Sequence, residues 1–237
     1  MHIELVTDDT EFAKVVATAL RAHHAPPPSS EPGVSNALQG NLVEFCVWDL
    51  GERQWRLYER RFTWTPNANS PWRSGSDPGI DILALTSADD KPLALVIEAK
   101  SSRYDGSSLV YGGSSSLRAD FEHLFTGDIQ SRLAVRIGAV CSDLDFKYRS
   151  PDLSRQVKKM VGKGPSDSEK IRLVGVLVCT RGNNQSQTKR SAAFGQLRTW
   201  LLNEGWKAEQ IECRCIEVGD FLGWLRQVIR GAVYGHA

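Results

Sequence analysis

The chain has 237 residues, of which 41% are hydrophobic and 24% are charged, and its net charge is +1. This length suits one large domain or two small ones and allows a substantial core without disulfides or structural metals. The composition excludes a disordered, collagen-like or membrane protein, and the balanced charge gives no global sign of a nucleic-acid partner.

The cysteines and the N-terminus indicate a reducing compartment. Five cysteines, an odd number, lie in apolar stretches and are expected to be reduced thiols of the core. The opening MHIELVTDD has no basic segment followed by an apolar one, which argues against a secretory signal. The longest apolar run, near residues 173–179, is far shorter than the roughly 20 residues that span a bilayer. We therefore expect a cytoplasmic protein with no membrane partner.

The N-terminal segment predicts a strand, a helix and then a linker. The strand is expected over residues 2–6, and apolar residues at helical spacing, such as Phe12, Val16 and Leu20, follow it. The sequence PPPSSEPG at residues 26–33 breaks regular structure. We expect residues 1–33 to form a small strand-helix appendage with a Pro-rich linker, and residues 34–237 to form the main domain.

The rest of the chain predicts alternating strands and helices. A helix is expected over residues 35–48, an alternating strand over 53–64 and a polar loop over 65–79. Two strands, 80–86 and 93–100, are joined by a short turn and predict an antiparallel hairpin. Later patterns predict helices over 117–141, 154–161, 191–203 and 221–233, and strands over 171–179 and 211–218. This order predicts an α/β fold with a mixed central sheet flanked by helices.

Charged residues interrupt the two apolar strands at one end of the predicted hairpin. Glu98 and Lys100 follow the apolar run 93–97 and, because strand side chains alternate, point to the same face. Asp81 begins the preceding strand, so an antiparallel hairpin places it beside them. Buried charges are costly unless they are paired or bind a metal. We therefore expect Asp81, Glu98 and the Ala99 carbonyl to bind Mg²⁺, or Mn²⁺ in its place, with Lys100 orienting a water or stabilising charge on a phosphate.

The pattern Gly79-x-Asp81…Glu98-x-Lys100 on a hairpin resembles the PD-(D/E)XK nuclease superfamily, which has a restriction-endonuclease-like fold. Asp81 is not preceded by the proline of the family's motif. The resemblance implies a metal-dependent nuclease that hydrolyses DNA, with a further acidic residue from a preceding helix, which Glu44 matches. More narrowly, the strand ends resemble the nuclease subunits of Hachiman-type anti-phage defence systems. That resemblance implies DNA and a helicase subunit as partners in a bacterial antiviral complex.

Two other interpretations are open at this point. The chain could be a catalytically inactive subunit of the same fold that binds DNA or helps to assemble a complex. Alternatively, Glu98 and Lys100 form a plain surface ion pair of an α/β scaffold, in which case Asp81 would lie far from Glu98.

Basic and aromatic residues outside the hairpin are further candidates for contact with nucleic acid. A predicted helix and the loop after it carry four cations that could meet phosphates: Arg155, Lys158, Lys159 and Lys163. Lys189 and Arg190 could do so at the start of another helix. A run of charges is equally typical of a solvated helix face. Trp72, in the loop before the hairpin, is the tryptophan best placed to stack on a base.

Overall fold

The computed structural model describes residues 2–23, 30–57, 63–64, 72, 80–88, 91–125, 132–159 and 170–235. The strands in these residues are β1 (His2–Leu5), β2 (Thr63–Trp64), β3 (Ile82–Ala88), β4 (Lys91–Ser102), β5 (Ile171–Thr180) and β6 (Ile211–Val218). They form one sheet in the order β1-β6-β5-β4-β3-β2. The first four strands of that order run parallel, whereas β3 is antiparallel to both β4 and β2. The predicted α/β fold with a mixed sheet is confirmed.

Helices pack on both faces of this sheet. They are α1 (Asp9–His23), α2 (Asn36–Arg53), α3 (Ser107–Val110), α4 (Leu117–Phe125), α5 (Arg132–Phe146), α6 (Pro151–Lys158), α7 (Asn184–Asn203) and α8 (Phe221–Tyr234). The face lined by Leu95, Ile97 and Ala99 of β4 is covered by α1, α2 and α8. The opposite face, lined by Ala94 and Val96, is covered by α4, α5 and α7. None of the helices in the described ranges has the length and apolar character needed to cross a membrane.

Helix α2 begins where the sequence predicts and continues further than expected. The Ser35 hydroxyl caps it by accepting a hydrogen bond from the Leu38 N–H at 3.1 Å. The helix continues to Arg53, whose guanidinium pairs with Asp49 one turn earlier. The predicted strand over residues 53–64 is therefore wrong at its start. Residues 58–62 of that prediction lie outside the described ranges, and β2 occupies its last two positions.

The strand and helix predicted at the N-terminus are both present. β1 pairs in parallel with β6 along its whole length and forms one edge of the sheet. α1 packs on α8, where the ring of Phe12 stacks on Trp224 with 5.4 Å between the ring centroids. The Asp9 carboxylate also accepts hydrogen bonds from the N–H groups of Gly219 and Asp220, at 2.8 and 2.9 Å. These contacts tie the first strand and helix to the same sheet and core as the last ones.

The remaining predicted elements are found with shifted ends. β3 and β4 form the predicted antiparallel hairpin. The helical pattern over residues 117–141 corresponds to two helices, α4 and α5, with residues 126–131 outside the described ranges. β5 and β6 are the buried parallel strands that the apolar runs predict. All five cysteines are buried free thiols, as expected.

Candidate functional site

The β3–β4 hairpin brings Asp81 and Glu98 together. In its register Ile82 lies opposite Ile97, so Asp81, one residue earlier, lies opposite Glu98. The two carboxyl groups are hydrogen-bonded to each other. Asp81 therefore lies beside Glu98, as the hairpin predicted. Glu98 is 2% exposed, which contradicts the alternative of a plain surface ion pair.

Strand β4 continues beyond the end of its pairing with β3. Pairing with β3 ends at Ile97, whereas pairing with β5 continues to Ser102. Beyond that point the Asp81 Oδ2 atom takes the place of a strand partner, because it accepts a hydrogen bond from the Ala99 N–H at 2.8 Å. The N–H and C=O of one strand residue point to the same edge, so the Ala99 carbonyl also faces the side of Asp81. Three oxygen-bearing groups thus lie around one end of the hairpin.

Asp120 of α4 is a fourth charged residue at this end of the hairpin, and the sequence pattern did not predict it. The Lys100 ammonium forms an ion pair with the Asp120 carboxylate. The two side chains are 22% and 19% exposed, so the pair is shielded but reaches solvent. A signal for Asp120 existed, since it lies on the same side of α4 as the buried Leu117 and Leu124, one turn before and after it. We call Asp81, Glu98, Lys100 and Asp120 the hairpin-end cluster.

Burial and mutual repulsion disfavour the charged forms of the two central carboxyl groups. Desolvation raises the pKa of Asp81 to about 6, although the Ala99 hydrogen bond and the Lys100 charge oppose it. Desolvation, followed by the charges of Asp81 and Asp120, raises the pKa of Glu98 well above its ordinary value. Desolvation lowers the pKa of Lys100, but the carboxyl groups of Asp120, Asp81 and Glu98 together outweigh it, so the net pKa is raised. When ionised, the three carboxylates exceed the charge of one lysine, and a cation would balance them.

The donor atoms of the hairpin-end cluster suit a hard divalent cation held by few protein ligands. Mg²⁺ is commonly bound through one or two carboxylates, with water and substrate phosphate completing its coordination. Asp81, Glu98 and the Ala99 carbonyl are the groups that could form such a set, and ionised carboxylates would bind the cation more strongly than protonated ones. In the part of the chain that the structure describes, no three His, Cys, Asp or Glu side chains are arranged as a complete metal cage.

Glu44 lies on α2 and takes part in a polar or electrostatic interaction within the structure. It is 7% exposed on α2, which covers the sheet face lined by Ile97 and Ala99. Glu98 and Lys100 alternate with those two residues along β4 and point to the other face. The role of Glu44 as an additional acidic residue of the site stays a prediction.

The predicted phosphate-binding cations of the α6 region are on the surface. Arg155, Lys158 and Lys159 are exposed, and the first two pair with nearby aspartates of the same region. Lys163 lies outside the described ranges. Contact of these residues with DNA stays a prediction.

Two weaker candidates are placed elsewhere than the sequence suggested. Arg190 is 1% exposed and its guanidinium pairs with Glu217, so the prediction that it meets phosphate is wrong. Basic residues at the start of a helix predicted an exposed cation. That prediction failed because the carboxylate that pairs with Arg190, Glu217, lies on a different element, β6. Trp72 is half-buried and packs against the core formed by α1, α2 and α8, and its stacking on a base stays a prediction.

Replacing Asp81 with asparagine is expected to stabilise the protein at neutral pH in metal-free buffer. The amide oxygen can still accept from the Ala99 N–H, and the amide NH₂ can donate to Glu98. Because folding raises the pKa of Asp81 from 3.8 to about 6, the wild type loses stability as the pH rises through this interval. Asp81→Asn has no carboxyl group to ionise and does not lose stability in this way. We therefore expect its free energy of unfolding to exceed that of the wild type by about 1–3 kcal/mol at pH values well above 6.

Thermal denaturation at about pH 4 and about pH 8 measures this effect, since the two proteins should differ only at the higher value. Asp152→Asn, which changes an aspartate with 81% exposure, is the matched control and should leave the Tm unchanged at both. If Asp81→Asn and the wild type had the same Tm at the higher pH, the inferred cost of ionising Asp81 in the folded protein would be contradicted.

Comparison with known proteins identifies no relative, since no family model and no curated protein matches this chain.

Proposed function

We propose that this protein is a metal-dependent nuclease that hydrolyses phosphodiester bonds of DNA. The observation that carries the proposal is the meeting of the buried Glu98, the half-buried Asp81 and a lysine where β4 extends beyond its pairing with β3. Asp81, Glu98 and the Ala99 carbonyl are the groups that would hold Mg²⁺. When bound there, the cation would polarise a phosphate and make a water molecule more acidic.

Lys100 is the residue proposed to act on the reacting phosphate. Its ammonium points to the same face as Glu98 and is held by the Asp120 carboxylate. An ammonium fixed in a partly dry site stabilises developing negative charge more strongly than one in water, because the effective dielectric constant is lower. Lys100 would thus orient the attacking water or stabilise the transition state, and Asp120 would position Lys100.

A partner is proposed to deliver the substrate. The net charge of +1 predicts weak affinity for DNA, and two of the exposed α6 cations are already paired with aspartates. The resemblance to Hachiman-type nuclease subunits supports a helicase subunit in this role, within a cytoplasmic anti-phage defence complex. The α6 cations are the proposed contacts with the DNA backbone.

A catalytically inactive subunit of the same fold is the second candidate, and one observation favours it. Asp81 and Glu98 bond to each other while Lys100 forms an ion pair with Asp120, so the members of the cluster are paired with one another without any ligand. Polar networks that are satisfied in this way also serve purely to specify a fold. The two candidates differ in whether a divalent cation binds and whether DNA is cut.

Cleavage of supercoiled plasmid and of labelled single-stranded DNA, with Mg²⁺, Mn²⁺ or EDTA, tests the proposal. We expect cutting that requires the metal. We also expect Mg²⁺ to raise the Tm of the wild type by mass action but not that of Asp81→Asn. A protein that neither cuts DNA nor responds to Mg²⁺, alone or with its co-purified partner, would be the inactive subunit.

A further inference from the structure

The segment 101–107, which begins with the last two residues of β4, is held in place by side chains from α2 and from the segment itself. Gln39 is 8% exposed on α2, and its Nε2 atom donates to the Ser101 Oγ atom at 2.9 Å. Its Oε1 atom accepts a hydrogen bond from Arg103 Nε at 3.2 Å. The Ser102 hydroxyl in turn accepts from the Tyr104 N–H at 3.1 Å. These bonds fix residues 101–104 relative to the sheet.

The second half of the segment is fixed as well. Asp105 accepts two hydrogen bonds from Ser107, from its N–H and its hydroxyl, each at 2.8 Å. The Asp105 carbonyl accepts a third bond from the buried Arg190 at 3.3 Å. Gly106 has φ +69°, and a Cβ atom there would come within 2.9 Å of Leu177, so the turn favours glycine. Residues 101–107 therefore have one defined conformation.

This ordered segment presents an aromatic ring to water. Tyr104 is 81% exposed, and the neighbouring Arg103 is also exposed. An aromatic side chain can bury about 150–250 Å² and usually does so, yet this fixed backbone holds the ring away from the core. Exposed aromatic rings and exposed guanidinium groups are surfaces on which unpaired nucleobases stack.

Tyr104 is close enough to the hairpin-end cluster to meet the same nucleic-acid strand. It lies four residues after Lys100, and an extended chain advances about 3.3 Å per residue. At most about 13 Å therefore separates the two Cα atoms. This distance corresponds to a few nucleotides along a strand.

We propose that Tyr104 and Arg103 bind an unpaired base of the substrate strand near the phosphate to be cut. The Tyr104 ring stacks on the base, and the Arg103 guanidinium contacts the adjacent phosphate. The inference rests on the proposed nuclease function and names its substrate class, which is DNA with unpaired bases at the cut. A base that is stacked within a duplex has no open face for Tyr104.

Anisotropy of a fluorescent single-stranded oligonucleotide and of its duplex, titrated with protein in EDTA, tests the proposal without cleavage. The titration extends to about 10⁻⁴ M protein, which covers weak non-specific binding. We expect Tyr104→Ala to weaken single-strand binding by at least about fivefold and to leave duplex binding unchanged. Tyr104→Trp keeps a stacking surface and should bind single strands as the wild type does.

Phe146→Ala is the matched control, because Phe146 is an aromatic residue with 83% exposure at the end of α5. It should bind both forms of DNA like the wild type. Equal single-strand affinities of Tyr104→Ala and Phe146→Ala would overturn the inference, and metal-dependent cutting by the wild type would show that the nuclease function stands without it. A wild type that binds neither form and cuts neither form would overturn both.

Discussion

Replacing Lys100 with alanine is expected to slow metal-dependent cleavage of DNA by about 10²–10³-fold. Lys100 supplies positive charge to a cluster that also contains the carboxyl groups of Asp81, Glu98 and Asp120. Its removal takes away the ammonium that would face the phosphate and leaves the carboxylates to repel each other and the incoming anion. Single-turnover cleavage rates at saturating Mg²⁺ measure the loss. Glu98→Ala is expected to change the rate in the same direction, because it removes a proposed metal ligand.

Two controls separate the loss of charge from a loss of folding. Lys14→Ala removes an exposed lysine from α1, which covers the opposite face of the sheet, and should cleave at the wild-type rate. Circular dichroism should show a cooperative melt for Lys100→Ala above the assay temperature. A folded Lys100→Ala protein that cuts as fast as the wild type would show that the reaction does not use this cluster.

Replacing Arg190 with alanine is expected to destabilise the protein by about 3–5 kcal/mol. The Arg190 and Glu217 side chains are 1% and 0% exposed, and Glu217 also accepts a hydrogen bond from Gln187 at 3.2 Å. Without the guanidinium, the Glu217 carboxylate stays buried without its cationic partner, and the Asp105 carbonyl loses a donor. The expected fall in Tm is about 6–20 °C for a protein of this size.

The double variant Arg190→Met/Glu217→Leu tests whether the loss of stability comes from the buried Glu217 carboxylate that is left without its cationic partner. It removes both charges together and should recover most of the lost stability. Asp152→Ala is the surface counterpart, because it breaks an ion pair whose side chains are 72% and 81% exposed, and should cost less than about 1 kcal/mol. Similar losses for Arg190→Ala and Asp152→Ala, measured by urea denaturation, would contradict this prediction.

The contact between Asp81 and Glu98 was predictable because it depends on local rules. A short turn between two apolar strands favours antiparallel pairing, and the alternation of side chains decides which of them share a face. These two rules place Asp81 next to Glu98 without knowledge of the rest of the fold. The central strands β5 and β6 were predictable for a similar reason, since a short continuous apolar run is typical of a buried parallel strand.

The partners that come from distant elements were not predictable in this way. Asp120 meets Lys100 only because α4 packs across this part of the sheet, and the position of a helix on a sheet is decided by tertiary packing. Arg190 looked like an exposed cation beside Lys189, yet Glu217 of β6 makes it a buried one. Near Arg53, the spacing of Trp55 and Leu57 suggested a strand, but α2 extends to Arg53 and pairs it with Asp49.

The pairing of β1 with β6 has a consequence for how a newly made chain folds on the ribosome. β1 is synthesised about 200 residues before β6, an interval of roughly 10–40 s at about 5–20 residues per second. Throughout this time the strand lacks its neighbour in the sheet, and Phe12 lacks the ring of Trp224 on which it stacks. Docking of the first strand and helix is therefore a late step that waits for the synthesis of β6 and α8, and until then the nascent chain exposes apolar surface that chaperones bind.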